Sequence, residues 1–297
     1  MAIRGDRWIW AIRPSGLAGV LLGIFLGGCD QTPSGGRNGE QTASSSHLNN
    51  ASGHEDYPPP DPRLQQTFAE ATRNEPPPEW ERPPDLTLAG KSVGTLYTEV
   101  VRLWEGIRFT TDSGQPISYT ASIDTELGPI EISLRPELAP NHVRNFIALA
   151  RAGYYDGLVF ERTVREKPDD QSDGDVEVLE GGCPLGRGDI GLGSIGYWLK
   201  PEFTKEPHEV GTVGASHGAE PDTAACSFYI TLSKAPFLDG NFTVFGKVTE
   251  GIDIARRIFS LPVRNDSKYP EGDRPEKPVV IRKVTIHSSE TTGQDAK

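Results

Sequence analysis

Phe237–Val248 reads F-L-D-G-N-F-T-V-F-G-K-V, and its second half, Thr243–Val248, is a short strand-like run. Runs of the same kind lie upstream near Leu158–Val164, Val176–Leu179, Gly211–Ser216 and Ser227–Leu232, and downstream at Val279–His287, which a helical segment at Ile252–Phe259 precedes. Further upstream, Ala139–Gly153 is the clearest helix. Pro140 sits in its first turn, Val143, Phe146, Ile147 and Ala150 form one apolar stripe, and Gly153 is a suitable C-terminal stop. Before it, Y-T-A-S-I-D-T and L-G-P-I-E-I-S-L read as an antiparallel hairpin turning at Gly128 and Pro129. Eight short strands and two helices in this order predict a mainly β fold, a closed eight-stranded antiparallel barrel capped by two helices, because closure removes exposed edges.

The barrel pattern spans residues 117–288, and the flanks read differently. Residues 1–28 have a basic start with Arg4, Arg7 and Arg13, then an apolar run, Gly16–Gly28, too short for a bilayer span. The run ends in L-G-G-C at Leu26–Cys29, which resembles the lipobox of bacterial lipoproteins, so residues 1–28 are expected to be a signal peptide and Cys29 the lipidated first residue of the mature chain. That places the protein outside the cytoplasm, on the periplasmic side, held to a membrane through a lipid anchor. Residues 29–90 are rich in Pro, Ser, Gly, Asn and Gln and too poor in apolar side chains to offset chain ordering, which predicts a disordered, semi-rigid tether. Residues 91–116 read as an N-terminal extension with a short helix carrying Leu96, Val100, Leu103 and Ile107 at helical spacing, and residues 289–297 as a disordered tail.

Several functional classes are disfavoured. A formal charge of -12 with no concentrated basic face argues against a nucleic-acid partner. The histidines at 47, 54, 142, 208, 217 and 287 include no metal-binding spacing. The G-x-G-x-x-G at Gly186–Gly191 lacks the following helix of a dinucleotide fold, and the serines have no nucleophile-elbow setting. No cofactor is expected, and nothing suggests an oligomer, so a monomer is expected. Cys183 and Cys226 could pair in an oxidising compartment or stay as two half-buried thiols.

The ordered segments L-A-P-N-H-V-R-N-F (Leu138–Phe146), G-Y-Y-D-G-L-V-F-E-R (Gly153–Arg162), L-E-G-G (Leu179–Gly182), G-T-V-G-A-S (Gly211–Ser216), S-F-Y-I (Ser227–Ile230) and Phe237–Val248 resemble the cyclophilins. These are peptidyl-prolyl cis-trans isomerases built as eight-stranded barrels with two capping helices. The prolyl bond resists rotation by roughly 18–20 kcal/mol because the nitrogen lone pair is delocalised. A guanidinium donating toward that nitrogen stabilises the twisted form while an apolar pocket grips the ring.

The resemblance implies that Arg162 is the catalytic arginine and that the substrate groove includes Val178, Glu180, Ser216, His217, Ser227, Tyr229, Phe237, Leu238 and Phe242. It puts Phe160, Phe228 and Phe245 in the barrel core. Partners would be proline-containing segments of secreted or surface proteins, whose folding the enzyme would assist. Several positions depart from the family pattern: Glu177 replaces a pocket phenylalanine, Glu180 the glutamine that orients the arginine, Ser227 a second glutamine, His217 an asparagine, Phe237 a tryptophan and Phe242 a rim histidine. Glu180 is expected to form a charge-assisted pair with Arg162, and a slow proline-binding or chaperone module on the same fold is the alternative reading.

The acidic loop ahead of L-E-G-G has the order of a calcium loop, with Asp169, Asp173, Asp175 and Glu180 as ligands. Its flanks read as strands where a calcium loop of that kind needs helices, so a solvated insertion is the expected reading.

Overall fold

The computed structural model describes residues 61–75, 82–166, 175–188, 193–264 and 274–290. In chain order a 3-10 turn at Pro62–Gln65 is followed by α1 (Phe68–Ala71), β1 (Thr72–Arg73), α2 (Val93–Trp104), β2 (Ile117–Thr125), β3 (Gly128–Leu134) and α3 (Pro140–Arg151). Then come β4 (Val159–Phe160), β5 (Arg162–Glu166), β6 (Val176–Gly181), β7 (Trp198–Leu199), β8 (Thr212–Ala215), β9 (Phe228–Thr231) and β10 (Val244–Glu250). The chain continues through α4 (Ile252–Phe259), β11 (Val263–Arg264), β12 (Arg274–Pro275) and β13 (Val279–Glu290).

Nine of these strands form one sheet in the order β4-β13-β2-β3-β10-β8-β9-β6-β5. Its two ends, β4 and β5, are halves of one strand interrupted at Glu161, whose backbone N–H donates to the Glu180 carbonyl at 3.1 Å. The sheet therefore wraps round until its edges meet, a nearly closed antiparallel barrel, and the eight strands read from sequence become nine because Leu158–Val164 breaks at that residue. Alternation in β2 and β3 sends Ala121, Ile123, Ile130 and Ile132 inward with no exposure, and Phe160, Phe228 and Phe245 join the same core.

Helix α3 is buried along its length from Pro140 to Ala150, where the sequence suggested a single apolar stripe. The extension covers its other side: α2 packs against α3, and the Arg144 guanidinium lies 5.4 Å from the Trp104 ring and 5.1 Å from that of Phe109. Arg144 also donates to the carbonyl oxygens of Leu64 at 2.5 Å and Ile107 at 3.3 Å, so a buried cation is satisfied by backbone dipoles, and burial lowers its pKa. Ala139 offers no side-chain cap to α3; the Glu202 carboxylate accepts from the Asn141 and His142 backbone N–H groups instead, at 3.2 and 2.9 Å.

Residues 61–75, assigned to the tether from composition, are ordered. Phe68 and Ala71 are buried, β1 pairs with β7, and the Trp104 indole donates to the Gln66 carbonyl at 3.0 Å. Few apolar side chains suffice here because they dock on an existing surface and need no core of their own. Residues 1–28 and Cys29, expected as a signal peptide and a lipidated cysteine, lie outside the described residues, as do tether residues 30–60 and 76–81 and tail residues 291–297; Ser289 and Glu290, expected in the disordered tail, instead finish β13. Cys183 and Cys226 are fully buried, at 1% exposure each, so the half-buried expectation is corrected.

Candidate active site

One row of residues crosses the sheet: Arg162 on β5 faces Glu180 on β6, Glu180 faces Tyr229 on β9, Tyr229 faces Gly214 on β8, and Gly214 faces Val244 on β10. Directly opposed residues of an antiparallel sheet share a face. The adjoining row, Thr163, Leu179, Ile230 and Val213, therefore points the other way, and the last three are core residues. Val178, Tyr229, Leu238, Phe242 and Val244 are buried without belonging to that core. They make a second apolar cluster, on the outer side of the sheet and beside the arginine.

Arg162 Nη1 and Glu180 Oε2 are 3.3 Å apart, and both side chains are about nine-tenths buried, at 10% and 11% exposure. This is the charge-assisted pair the sequence suggested. It uses one of the five N–H donors of the guanidinium. Gly188 lies along the arginine stem, where an added Cβ would stand 3.5 Å from Arg162 Cδ.

The apolar wall is built around rings. Tyr229 and Phe242 meet edge to face with centroids 6.0 Å apart, and His217 stacks on Phe242 at 4.1 Å. Leu238 and Tyr229 are fully enclosed, and Phe237 and Ser227 are half-buried beside them. The Ser216 backbone N–H donates to the Ser227 carbonyl at 3.1 Å, holding the two segments together, while the Ser216 hydroxyl is buried with no partner among the described residues. His217 bridges the loops beside the wall, with Nδ1 2.7 Å from the Gly218 carbonyl and Nε2 2.9 Å from that of Asn241. Burial pushes its pKa down against those two carbonyls. Glu177, at the expected phenylalanine position, alternates to the face opposite Glu180 and pairs with Arg165 at 2.9 Å, leaving that part of the wall to Val178.

Sequence reasoning missed three residues of this region. Gly214 must be glycine, since a Cβ there would stand 2.3 Å from the Tyr229 phenol oxygen. His208 and Asp239 lie behind Tyr229, with His208 Nε2 2.8 Å from the phenol and Nδ1 2.8 Å from Asp239 Oδ1. Asp239 stood in plain view in F-L-D-G; nothing in the sequence paired it with a histidine 31 residues away. Of the calcium-loop residues, Asp169 and Asp173 lie outside the described residues, Asp175 precedes β6, and Glu180 is committed to Arg162.

The profile described as "Cyclophilin type peptidyl-prolyl cis-trans isomerase/CLD" matches residues 120–286. The peptidyl-prolyl cis-trans isomerase ppi1 of Schizosaccharomyces pombe is 36% identical over 163 residues, 54% of this chain and 95% of its own length. Peptidyl-prolyl cis-trans isomerase B of Bacillus subtilis is 40% identical over 131 residues, 43% of this chain and 82% of its own length. A solved cyclophilin type peptidyl-prolyl cis-trans isomerase of Cryptosporidium parvum superposes with a TM-score of 0.48 at 23% identity, over 58% of this chain and 99% of that one. With the matched profile covering more than half its length, the chain belongs to the cyclophilin-type peptidyl-prolyl cis-trans isomerases.

Proposed function

We propose that the groove beside Arg162 accelerates rotation about prolyl bonds in proline-containing segments of secreted or surface proteins, and so assists their folding outside the cytoplasm. The observation that carries this reading is the row placing a buried guanidinium next to an apolar wall of Val178, Tyr229, Leu238 and Phe242. The ring of a bound proline fits that wall because burying its methylene groups is favourable at about 0.8 kcal/mol each. Rotation out of the amide plane localises the lone pair on nitrogen, and Arg162 donates to it. The donor is fixed before the bond twists, so stabilisation appears in the twisted state and not in the planar one. No covalent bond forms or breaks.

Glu180 holds the guanidinium in place and also competes with substrate for its donors. That competition favours one further reading, a binding module with little turnover. Lipidation at Cys29 would hold the domain at a membrane through the segment before residue 61.

Exchange spectroscopy on a proline tetrapeptide tests the proposal. Added protein should enhance cis–trans exchange, and Arg162→Ala should reduce the enhancement by about 10²-fold, the scale for losing one positioned donor to a developing charge. Saturable peptide shifts with no enhanced exchange would establish the binding module instead.

A further inference from the structure

We infer that His208 is a positioning residue for the proline pocket, coupling its floor at Tyr229 to the wall loop of Leu238 and Phe242 through Asp239. The inference deepens the isomerase reading and rests on it.

The chain of contacts fixes its own proton arrangement. Asp239 Oδ1 accepts the His208 backbone N–H at 2.8 Å and lies 2.8 Å from Nδ1. A carboxylate only accepts, so Nδ1 carries the proton, and in the neutral ring Nε2 is an acceptor. The Tyr229 phenol, 2.8 Å away, is then the donor. Burial holds the pKa of His208 below its ordinary value against the Asp239 carboxylate, which keeps the ring neutral near pH 7.

The ends of this chain belong to two different segments that line the apolar cluster. Tyr229 belongs to β9 and stands in the row that begins at Arg162, whereas Asp239 directly follows Leu238 in the turn before β10. That turn is closed by the Phe242 N–H donating to the Leu238 carbonyl at 3.2 Å. The imidazole and phenol rings lie nearly parallel with centroids 6.0 Å apart, and the phenol oxygen fills the slot left open by the missing side chain of Gly214. A buried phenol needs one partner, which any carbonyl could supply. Here the partner is itself anchored to Asp239 in the Leu238 turn, so a shift of that turn is carried to Tyr229.

Protonating His208 makes both ring nitrogens donors. The phenol must then accept from Nε2–H and turn its own proton away from the imidazole. The charged and titratable groups around the chain are Asp239, Tyr229, Glu180 with Arg162 beyond Tyr229, and the Glu209–Lys234 pair at 3.0 Å on the neighbouring loops.

The test is a titration of a proline tetrapeptide into the full chain, with peptide affinity and exchange rate at saturation measured separately. His208→Ala and Tyr229→Phe should each weaken affinity about tenfold, the size of losing one buried hydrogen-bond partner, while in His208→Ala, which touches no substrate, the exchange rate at saturation changes by less than about threefold. Tyr229→Phe keeps the ring volume and serves if His208→Ala fails to fold. His208→Gln, whose amide can donate to Asp239 and accept from Tyr229, should recover most of the affinity. Wild-type affinity should fall as the pH drops below the ordinary histidine range, and Tyr229→Phe should flatten that profile. Unchanged affinity and pH profile in the variants, in a chain whose exchange still depends on Arg162, would overturn this inference alone. A wild-type chain that neither binds nor turns over the peptide would overturn the isomerase reading and this inference with it.

Discussion

Glu161 splits the strand on which the barrel closes, and it makes stability depend on pH in a calculable way. The side chain is 2% exposed; Oε1 accepts the Cys183 N–H at 3.0 Å, and Oε2 has no partner among the described residues. Burial pushes its pKa from 4.5 up to about 8, with the Glu180 carboxylate adding to the rise and the Cys183 N–H and Arg274 opposing it. Between those two values the folded chain holds a proton that the unfolded chain has released. The group's contribution is therefore complete below the unfolded value and is lost as pH rises through the folded one. Applied between about pH 5 and about pH 9, the linkage relation gives a loss of ~4 kcal/mol from this residue. Glu161→Gln keeps the shape and the Oε1 acceptor but cannot ionise. Urea unfolding followed by the fluorescence of the buried Trp104 and Trp198 should show the variant gaining on wild type by that amount across the range. Every other titrating group is common to both chains and cancels in the difference. A wild-type-minus-variant difference constant to within about 1 kcal/mol would show that Glu161 is ionised in the fold and refute the reasoning.

Two further outcomes follow from the same surroundings. Glu180→Gln restores a neutral hydrogen-bonding partner and frees guanidinium donors for substrate, so exchange of a proline peptide should rise a few-fold while stability falls by about 1–3 kcal/mol from a buried cation losing its counter-charge; a tenfold fall in exchange would mean that the charge itself orients Arg162. Burial raises the Cys183 and Cys226 thiols to about 11 and about 12, so neither should react with an aromatic disulfide reagent near pH 8 until urea is added, as read by mass on the peptide carrying each cysteine; labelling of the folded chain within minutes would contradict the packing around Tyr154 and Tyr155.

Legibility in the sequence followed the range of the interactions. The strands and α3 could be read because each rests on local pattern: alternation, Pro140 in a first turn, Gly153 past the end. Arg162 and Glu180 could be read as partners because their segments carry the resemblance and pair in simple register. The ordering of residues 61–75 could not, since it depends on Arg144 and Trp104 reaching back across the chain to Leu64 and Gln66. The full burial of α3 was hidden for the same reason: the side that looked polar is covered by α2 and by Glu202. His208 was dismissed because a lone histidine has no metal spacing, and its two partners, 21 and 31 residues away, meet it only once β9 and the Leu238 turn are in place.

The departures from the family pattern are not independent of one another, which bears on whether the groove is degraded or rebuilt. The phenol of Tyr229 would strand a hydroxyl in an apolar wall, yet Gly214 gives it room and His208 gives it an acceptor. A carboxylate in place of glutamine at residue 180 would strand a charge, yet it sits 3.3 Å from the one buried guanidinium of the row. Phe242, where the resemblance implies a rim histidine, is stacked by His217, and Glu177, which strand alternation puts on the other face, is paired there with Arg165. Drift in an unused groove leaves unsatisfied groups, since each buried orphan costs about 1–3 kcal/mol and nothing selects its partner. Here Tyr229, Glu180, His217 and Glu177 each have one, and the Ser216 hydroxyl is the exception among the groove residues described. Reverting any of them alone to the family residue should therefore disturb the groove, whereas reverting a residue together with its partner should not, and that asymmetry is what a rebuilt, working site requires.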